Sequence, residues 1–174
     1  HLWNALAARR ASGLKVAFDS NYRPTLWDSI ATARREIDRF WRITDIALPS
    51  SEDEVDLFSD KCTSGIVNRI VAAGAQTGAL KCGDAGPLLI PLSDATANFA
   101  KADSVVDTTG AGDSFNGAYL AAIAADKTQT EAAIEAHALA ARVVTHQGAI
   151  LPRMAAPKAI RMGSVIRLRP KHLE

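Results

Sequence analysis

The segment Asp107-Thr108-Thr109-Gly110-Ala111-Gly112-Asp113 carries the strongest structural signal in this chain. It follows the apolar pair Val105-Val106, where we expect a strand to end, and it precedes a helical pattern that includes Phe115. Gly110 and Gly112 have no side chain, so a ligand can approach the backbone closely. The first amides of a helix lack intrahelical partners and carry partial positive charge. This order of strand, glycine turn and helix predicts an anion site at the helix start.

The rest of the chain alternates short apolar strands with helical patterns. Helices are predicted at 2–11, 28–41, 63–73 and 129–146, and strands at 14–18, 46–48, 79–82 and 87–90, the last two forming a hairpin. Capping boxes are expected at Ser51-x-x-Glu54 and Thr128-x-x-Glu131, and Gly148 is expected to end the last helix. Such alternation is typical of an α/β layered sheet whose ligands bind beyond the carboxyl ends of the strands.

The composition excludes several classes of protein. The chain has 174 residues, enough for one domain, and its 20 basic and 19 acidic side chains give a net charge of +1, so a nucleic-acid partner is not expected. No apolar run reaches the roughly 20 residues that a membrane helix needs. The two cysteines, Cys62 and Cys82, are too few and too far apart to predict disulfides or zinc. A cytoplasmic protein is therefore expected.

Asp113 lies where the predicted helix makes its first turn. A carboxylate there can take the proton of a substrate hydroxyl while the hydroxyl attacks a phosphorus atom, so we predict Asp113 as a general base. The amides of Gly110, Ala111 and Gly112 would then stabilise the transferred phosphoryl group. From the residues alone, a tight loop with a helix cap explains the same pattern. A Walker-type phosphate loop and a dinucleotide fingerprint are both excluded by their missing motif residues.

The segment Asp107–Gly117 resembles the second signature of the PfkB or ribokinase family of carbohydrate kinases. The segment Phe18-Asp19-Ser20-Asn21-Tyr22-Arg23-Pro24 is similar to the branch that phosphorylates 2-keto-3-deoxygluconate. The resemblance implies a ribokinase-like layered sheet with helices on both faces and an ATP-dependent transfer to a hydroxyl of a sugar acid. A ribokinase-like or fructokinase-like enzyme, or a noncatalytic nucleotide-binding fragment, is the alternative.

The resemblance also assigns roles to individual residues. It implies that Asp113 is the catalytic base and that Asn21 and Arg23 bind the sugar acid. Arg23 would bind the substrate carboxylate, because a guanidinium can donate two parallel hydrogen bonds to a carboxylate. A surface ion pair is the other interpretation of Arg23. The nucleotide-binding positions implied are Lys81, Gly83, Gly86, Gly110, Gly112, His137 and Ala141.

Two cations are implied by the same resemblance. Ser50 and Asp53 correspond to family positions that organise Mg²⁺ through water, although both residue types differ from the family pattern. Asp107 and Thr109 correspond to positions that hold a monovalent cation in some relatives.

Members of the family are longer than this chain, and their amino-terminal half supplies a lid and a sugar-binding motif. Residues 1–156 therefore correspond to the carboxyl-terminal part of a kinase domain, and residues 157–174 are expected to form a basic, partly disordered tail. Missing strands would expose a sheet edge, so a homo-oligomer or association with the missing half is expected. These residues alone are expected to bind nucleotide weakly and to be catalytically inactive, because the lid that excludes water from the site is missing.

Overall fold

The computed structural model of the chain describes residues 1–93 and 97–151. Their sheet has four strands in the order β1 (Ala17–Phe18), β2 (Ile46–Ala47), β3 (Thr77–Leu80) and β4 (Leu88–Ile90). The first three strands are parallel, and β4 runs antiparallel to β3. The predicted hairpin is therefore confirmed, and the described sheet is mixed.

Six α-helices accompany the sheet in the described part of the chain. They are α1 (Leu2–Ala11), α2 (Ile30–Trp41), α3 (Ser51–Phe58), α4 (Thr63–Ala73), α5 (Ala111–Ala124) and α6 (Gln129–Val143). Within residues 1–93 and 97–151, no helix is both long and apolar enough to cross a lipid bilayer.

The sheet has a hydrophobic core on each face. Adjacent residues of a strand point to opposite faces, and in β3 the buried Leu80 packs with α2, α3 and α4 while the buried Ala79 packs with α5 and α6. Trp41 is the largest fully buried side chain of the first core and Tyr119 that of the second. Helices therefore cover both faces, as the family resemblance implies.

The start of α3 differs from the prediction. The helix is capped by Ser50, whose hydroxyl accepts a hydrogen bond from the Asp53 amide at 3.2 Å, and the predicted Ser51-x-x-Glu54 box is wrong. Glu54 is fully buried and contacts side chains from other segments, so its carboxylate does not reach back to the helix start. The second predicted box, Thr128-x-x-Glu131, is confirmed at α6.

The segment before the glycine turn also differs. Val105 and Val106 form no strand, because the Val106 amide donates to the Val144 carbonyl at the end of α6 (2.8 Å) instead of to a neighbouring strand. Both side chains are exposed. Helix α6 ends at Val143, earlier than predicted, and Gly148 lies beyond its cap. The predicted basic tail, residues 157–174, lies outside the described residues.

Candidate active site

Three loops follow the parallel strands at one edge of the sheet. Residues 19–23 follow β1, Ser50 leads into α3 after β2, and Lys81 follows β3. Ser50 and Lys81 form a parallel β-bridge, so these two loops are joined directly. Because parallel strands end on the same side, the topology brings together segments that are far apart in the chain.

Lys81 links the loop after β1 to helix α5. Its ammonium lies 2.5 Å from an oxygen of Asp19 and donates to the side-chain oxygen of Asn116 at 3.1 Å. The Asn116 amide donates to the same Asp19 oxygen at 2.7 Å. The other Asp19 oxygen accepts the Asn21 amide at 3.1 Å. The predicted nucleotide residue Lys81 and the predicted substrate loop are thus connected through Asp19.

The glycine turn lies against this cluster. Gly110 caps α5 with a positive φ of 76°, and Gly112 is exposed in the first turn. A Cβ atom added to Gly112 would lie 3.7 Å from the Lys81 nitrogen. A helix start and an ammonium therefore face the same small space, which is an arrangement that attracts anions.

Asp113 is exposed in the first turn of α5. Within residues 1–93 and 97–151, its carboxylate forms no hydrogen bond or ion pair, so both oxygens are available to a ligand. It is one residue from Gly112 and one turn before Asn116 on the same helix. The geometry meets the requirement that a general base be open to its substrate.

The three amides predicted to bind the phosphoryl group are not equivalent. The Ala111 amide donates to the Thr108 carbonyl at 3.2 Å within the turn, so the prediction that all three are free is wrong for Ala111. A glycine is required at Gly110, because a Cβ atom there would lie 2.5 Å from the Cβ of Ala149.

Asp107 ties the segment after α6 to the glycine turn. One carboxylate oxygen accepts the Thr109 amide at 2.9 Å and the other accepts the Gly148 amide at 2.8 Å. Hydrogen bonds from the Thr109 side chain, the Thr109 amide and the Gly148 amide hold the pKa of Asp107 below its ordinary value. The ionised carboxylate of Asp107 thus holds the turn in place through two backbone amides. Its negative charge is compatible with the predicted role beside a cation.

Arg23 and Asp53, two predicted site residues, form an ion pair. The guanidinium donates to an Asp53 oxygen at 3.3 Å and to the Tyr22 carbonyl at 2.7 Å. The Arg23 side chain is 54% exposed, so solvent screens the pair strongly. Both interpretations of Arg23 remain compatible with this geometry, because an exposed guanidinium can exchange one carboxylate for another.

A magnesium site built only from protein ligands is not present among residues 1–93 and 97–151, where no three His, Cys, Asp or Glu side chains cluster. Asp53, largely buried beside Arg23, is a single carboxylate at the site edge. Mg²⁺ in phosphoryl-transfer sites is held mainly by phosphates and water with one or two carboxylates. The residues present therefore fit an indirect role for Asp53 and no more.

The predicted nucleotide positions Gly86 and His137 meet through Phe99. A Cβ atom at Gly86 would lie 2.3 Å from the Phe99 ring, and that ring packs edge-on against His137 with centroids 5.3 Å apart. Burial lowers the pKa of His137, so its neutral form is favoured. Ala141 lies one helical turn beyond His137 on the same face of α6. Gly83 is exposed in the turn after Lys81, with a φ of 57°.

Several residues of this region escaped the sequence prediction. Asp19 and Asn116 hold Lys81, and Phe99 joins Gly86 to His137. The first two lie inside the segments that carry the family resemblance, which was the available signal. Phe99 lies in a loop without a recognisable pattern, so no signal identified it.

Comparison with known proteins gives consistent matches. The profile described as "pfkB family carbohydrate kinase" matches residues 1–156. The chain is 35% identical to 2-dehydro-3-deoxygluconokinase of Escherichia coli K12 over 161 residues, which cover 90% of the chain and 52% of that protein. It is 36% identical to the enzyme of the same name from Dickeya dadantii, again covering 52% of it. The chain thus spans about half the length of these curated relatives.

Solved structures show the same architecture. Aminoimidazole riboside kinase from Salmonella enterica, complexed with aminoimidazole riboside and an ATP analog, matches with a TM-score of 0.73 and 27% identity over 85% of this chain and 52% of that one. A putative ribokinase from E. coli in complex with ATP and Mg²⁺ matches with a TM-score of 0.71 and 26% identity, covering 83% and 47% of the two chains. The fold is therefore ribokinase-like, and the chain belongs to the pfkB family of carbohydrate kinases.

Proposed function

We propose that this chain forms part of an ATP-dependent kinase that phosphorylates a hydroxyl of a sugar acid, with 2-keto-3-deoxygluconate as its substrate. The observation that carries the proposal is the exposed, unpaired Asp113 beside the start of α5 and the Lys81 ammonium. Relatives named 2-dehydro-3-deoxygluconokinase, at 35% and 36% identity, support the choice of substrate. Residues 1–156 are proposed to be the carboxyl-terminal part of the kinase domain.

The chemistry follows from the position of Asp113. A hydroxyl of the sugar acid donates a hydrogen bond to this carboxylate and attacks the terminal phosphorus of ATP. The bond from that phosphorus to the bridging oxygen breaks, ADP leaves, and the hydroxyl proton passes to Asp113. Negative charge on the transferred group is stabilised by the Gly112 amide, the positive end of α5 and the Lys81 ammonium.

Bound Mg²⁺ would neutralise charge on the ATP phosphates. Asp53 is proposed to orient water molecules around it, because this carboxylate lies at the edge of the site. Asp107 and Thr109 are proposed to lie beside an activating monovalent cation. A fructokinase from Vibrio cholerae whose structure is described with a potassium ion has the same fold, at a TM-score of 0.75.

The nucleotide is proposed to lie between the turn after β3 and helix α6. Gly83 leaves room beside the phosphates and ribose, and the face of α6 that carries His137 and Ala141 would contact the adenine. The neutral form of His137 suits an apolar contact with a base, since burial disfavours its charge. Gly86 supports this wall through Phe99.

A neutral-sugar kinase is the second candidate, and the Arg23–Asp53 ion pair favours it. In the sugar-acid hypothesis the substrate carboxylate takes two hydrogen bonds from Arg23. In the neutral-sugar alternative, the Arg23 guanidinium stays paired with Asp53 when the substrate binds, and Arg23 has a structural role in the loop of residues 19–23. A noncatalytic nucleotide-binding fragment is the third interpretation. We also propose that the protein is cytoplasmic. It is further proposed to associate with a second copy, or with the half that the longer relatives possess.

The test measures ADP release by the protein expressed from its complete reading frame, with 2-keto-3-deoxygluconate, fructose and ribose as acceptors. We expect turnover with the sugar acid, and we expect Arg23→Ala to raise KM for the acid by about 10- to 100-fold, as expected for loss of a charged pair. Equal losses with acidic and neutral acceptors would favour the neutral-sugar kinase. Absence of ADP release with every acceptor would refute kinase activity.

A further inference from the structure

Glu54 is a buried carboxylate outside the set of residues that the proposed mechanism uses. It lies on α3, directly after Asp53, and its side chain has no exposed surface. One oxygen accepts a hydrogen bond from the Ser20 hydroxyl at 2.6 Å, and the other accepts from Arg69 of α4 at 2.8 Å. A buried charge persists only where such partners compensate its desolvation.

Arg69, the partner of Glu54 on α4, is held in place by further contacts. Arg69 also donates to Asp60 at 2.6 Å, and its guanidinium stacks over the Phe58 ring at 4.0 Å from the centroid. The guanidinium is therefore fixed by two carboxylates and an aromatic face. Because Arg69 is fixed, Glu54 has one defined orientation, with an oxygen directed at the loop after β1.

The loop side is the segment 19–23, the proposed sugar-acid loop. Ser20 lies between Asp19, which binds Lys81, and Asn21, which has a positive φ of 39°. A non-glycine residue with positive φ is uncommon and needs support from its surroundings. Arg23 contacts Asp53 at the end of the same loop. Consecutive residues of α3, Asp53 and Glu54, thus hold the loop at two points.

We propose that Glu54 is a positioning residue that fixes the substrate loop through the Ser20 hydroxyl. The assignment of the loop to a sugar acid rests on the proposed function, whereas the anchoring itself does not. Glu54 contacts neither the reacting atoms nor the acceptor. Its effect is to keep Asn21 and Arg23 in one arrangement before the substrate arrives, which lowers the cost of ordering them on binding.

Glu54 holds the loop through one short hydrogen bond, which the Ser20 hydroxyl donates at 2.6 Å. Burial raises the pKa of Glu54, while the bonds from Ser20 and Arg69 and the charge of Arg69 favour its ionised form. Loss of the hydroxyl alone should therefore loosen the loop without dismantling the contact between α3 and α4.

The first measurement is hydrogen–deuterium exchange in the absence of any ligand, on the protein expressed from its complete reading frame. Ser20→Ala removes the donor and leaves Arg69 on Glu54. We expect exchange in peptides covering residues 19–23 to become about 10-fold faster, as for loss of one hydrogen bond to a charged group, while α4 peptides are unchanged. Ser20→Thr keeps the hydroxyl and should restore slow exchange. Glu52→Gln, an exposed carboxylate of the same helix, is the matched control.

The second measurement is steady-state kinetics with the sugar acid. We expect Ser20→Ala to raise KM for the acid about 10-fold, with kcat within about twofold and KM for ATP unchanged, since uniform binding is lost. The double variant Ser20→Ala/Glu54→Gln should be no worse than Glu54→Gln alone, because both changes remove one interaction.

The two measurements separate the two hypotheses. Loop exchange that is unchanged in Ser20→Ala would overturn the anchoring, whatever the enzyme phosphorylates. Faster exchange confined to the loop supports the anchoring, and it does so even if wild-type protein phosphorylates no sugar acid, a result that would refute only the proposed function. Additive losses in the double variant would also overturn the proposal that Glu54 acts through Ser20.

Discussion

Gly112→Ala separates the stability of helix α5 from the chemistry at its start. The added Cβ atom would lie 3.7 Å from the Lys81 nitrogen, which is ordinary van der Waals contact. The protein itself therefore accommodates the methyl group without moving. The space that the methyl group fills is the space in which we place the transferred phosphoryl group.

The expected magnitudes have opposite signs. Alanine is better than glycine in a helix by about 1 kcal/mol, and less in the first turn, so the free energy of unfolding should rise by roughly 0.5 kcal/mol. Activity should fall, because the phosphoryl group can no longer reach the Gly112 amide. Loss of one donor of this kind costs about 3 kcal/mol of transition-state stabilisation, or a decrease in kcat of about 100-fold.

The assay pairs chemical denaturation with steady-state kinetics. Gly117→Ala is the matched control: the residue is exposed on the same helix, and an added Cβ atom has no heavy atom within 4 Å. This control should be stabilised by about 0.5 to 1 kcal/mol with unchanged kcat. Wild-type kcat in a stable Gly112→Ala variant would refute the placement of the phosphoryl group at the start of α5.

Two further predictions concern stability. Gly78→Ala should destabilise the protein by roughly 3 kcal/mol or more, because the new Cβ would lie 1.9 Å from the Ala47 carbonyl oxygen and Gly78 has a φ of 149°; a melting temperature equal to wild type would contradict the close contact of β2 and β3. Burial lowers the pKa of His137 in the folded protein below its ordinary value of 6.5. The unfolded chain therefore binds a proton more readily, and wild type loses stability as pH falls below about 6.5. His137→Gln removes this group, so the variant should lose less stability on acidification. Denaturation curves at pH 7.5 and 5.5 measure this, and equal losses in both proteins would contradict it.

The layered sheet could be predicted from the sequence because its signals are local. Short apolar runs end at polar residues, as at Phe18 followed by Asp19, and amphipathic patterns such as that of α2 follow them. The hairpin of β3 and β4 and the cap at Thr128 also followed from nearby residues. The glycine turn and helix start in residues 107–113 predicted the candidate base, and the family signature in residues 107–117 agreed with that choice.

Other features depend on contacts between distant residues, which no local pattern reveals. Val106 lies in an apolar pair, yet its amide bonds to the end of α6 instead of to a strand. Glu54 fits a capping pattern, but Arg69 and Ser20 draw its carboxylate into the interior. The contacts of Lys81 with Asp19 and Asn116 bridge 62 and 35 positions of sequence, so only the folded chain defines them.

The most direct test of the central claim is the turnover of Asp113→Asn, measured as ADP release with saturating sugar acid and ATP. If Asp113 accepts the hydroxyl proton, kcat should fall by about 10²- to 10⁴-fold while the affinity for ATP is retained, since an amide cannot act as the base. Because Asp113 is exposed, we expect the variant to fold as wild type does, and a melting curve checks this. A variant that keeps wild-type kcat would contradict the claim that this carboxylate performs the proton transfer.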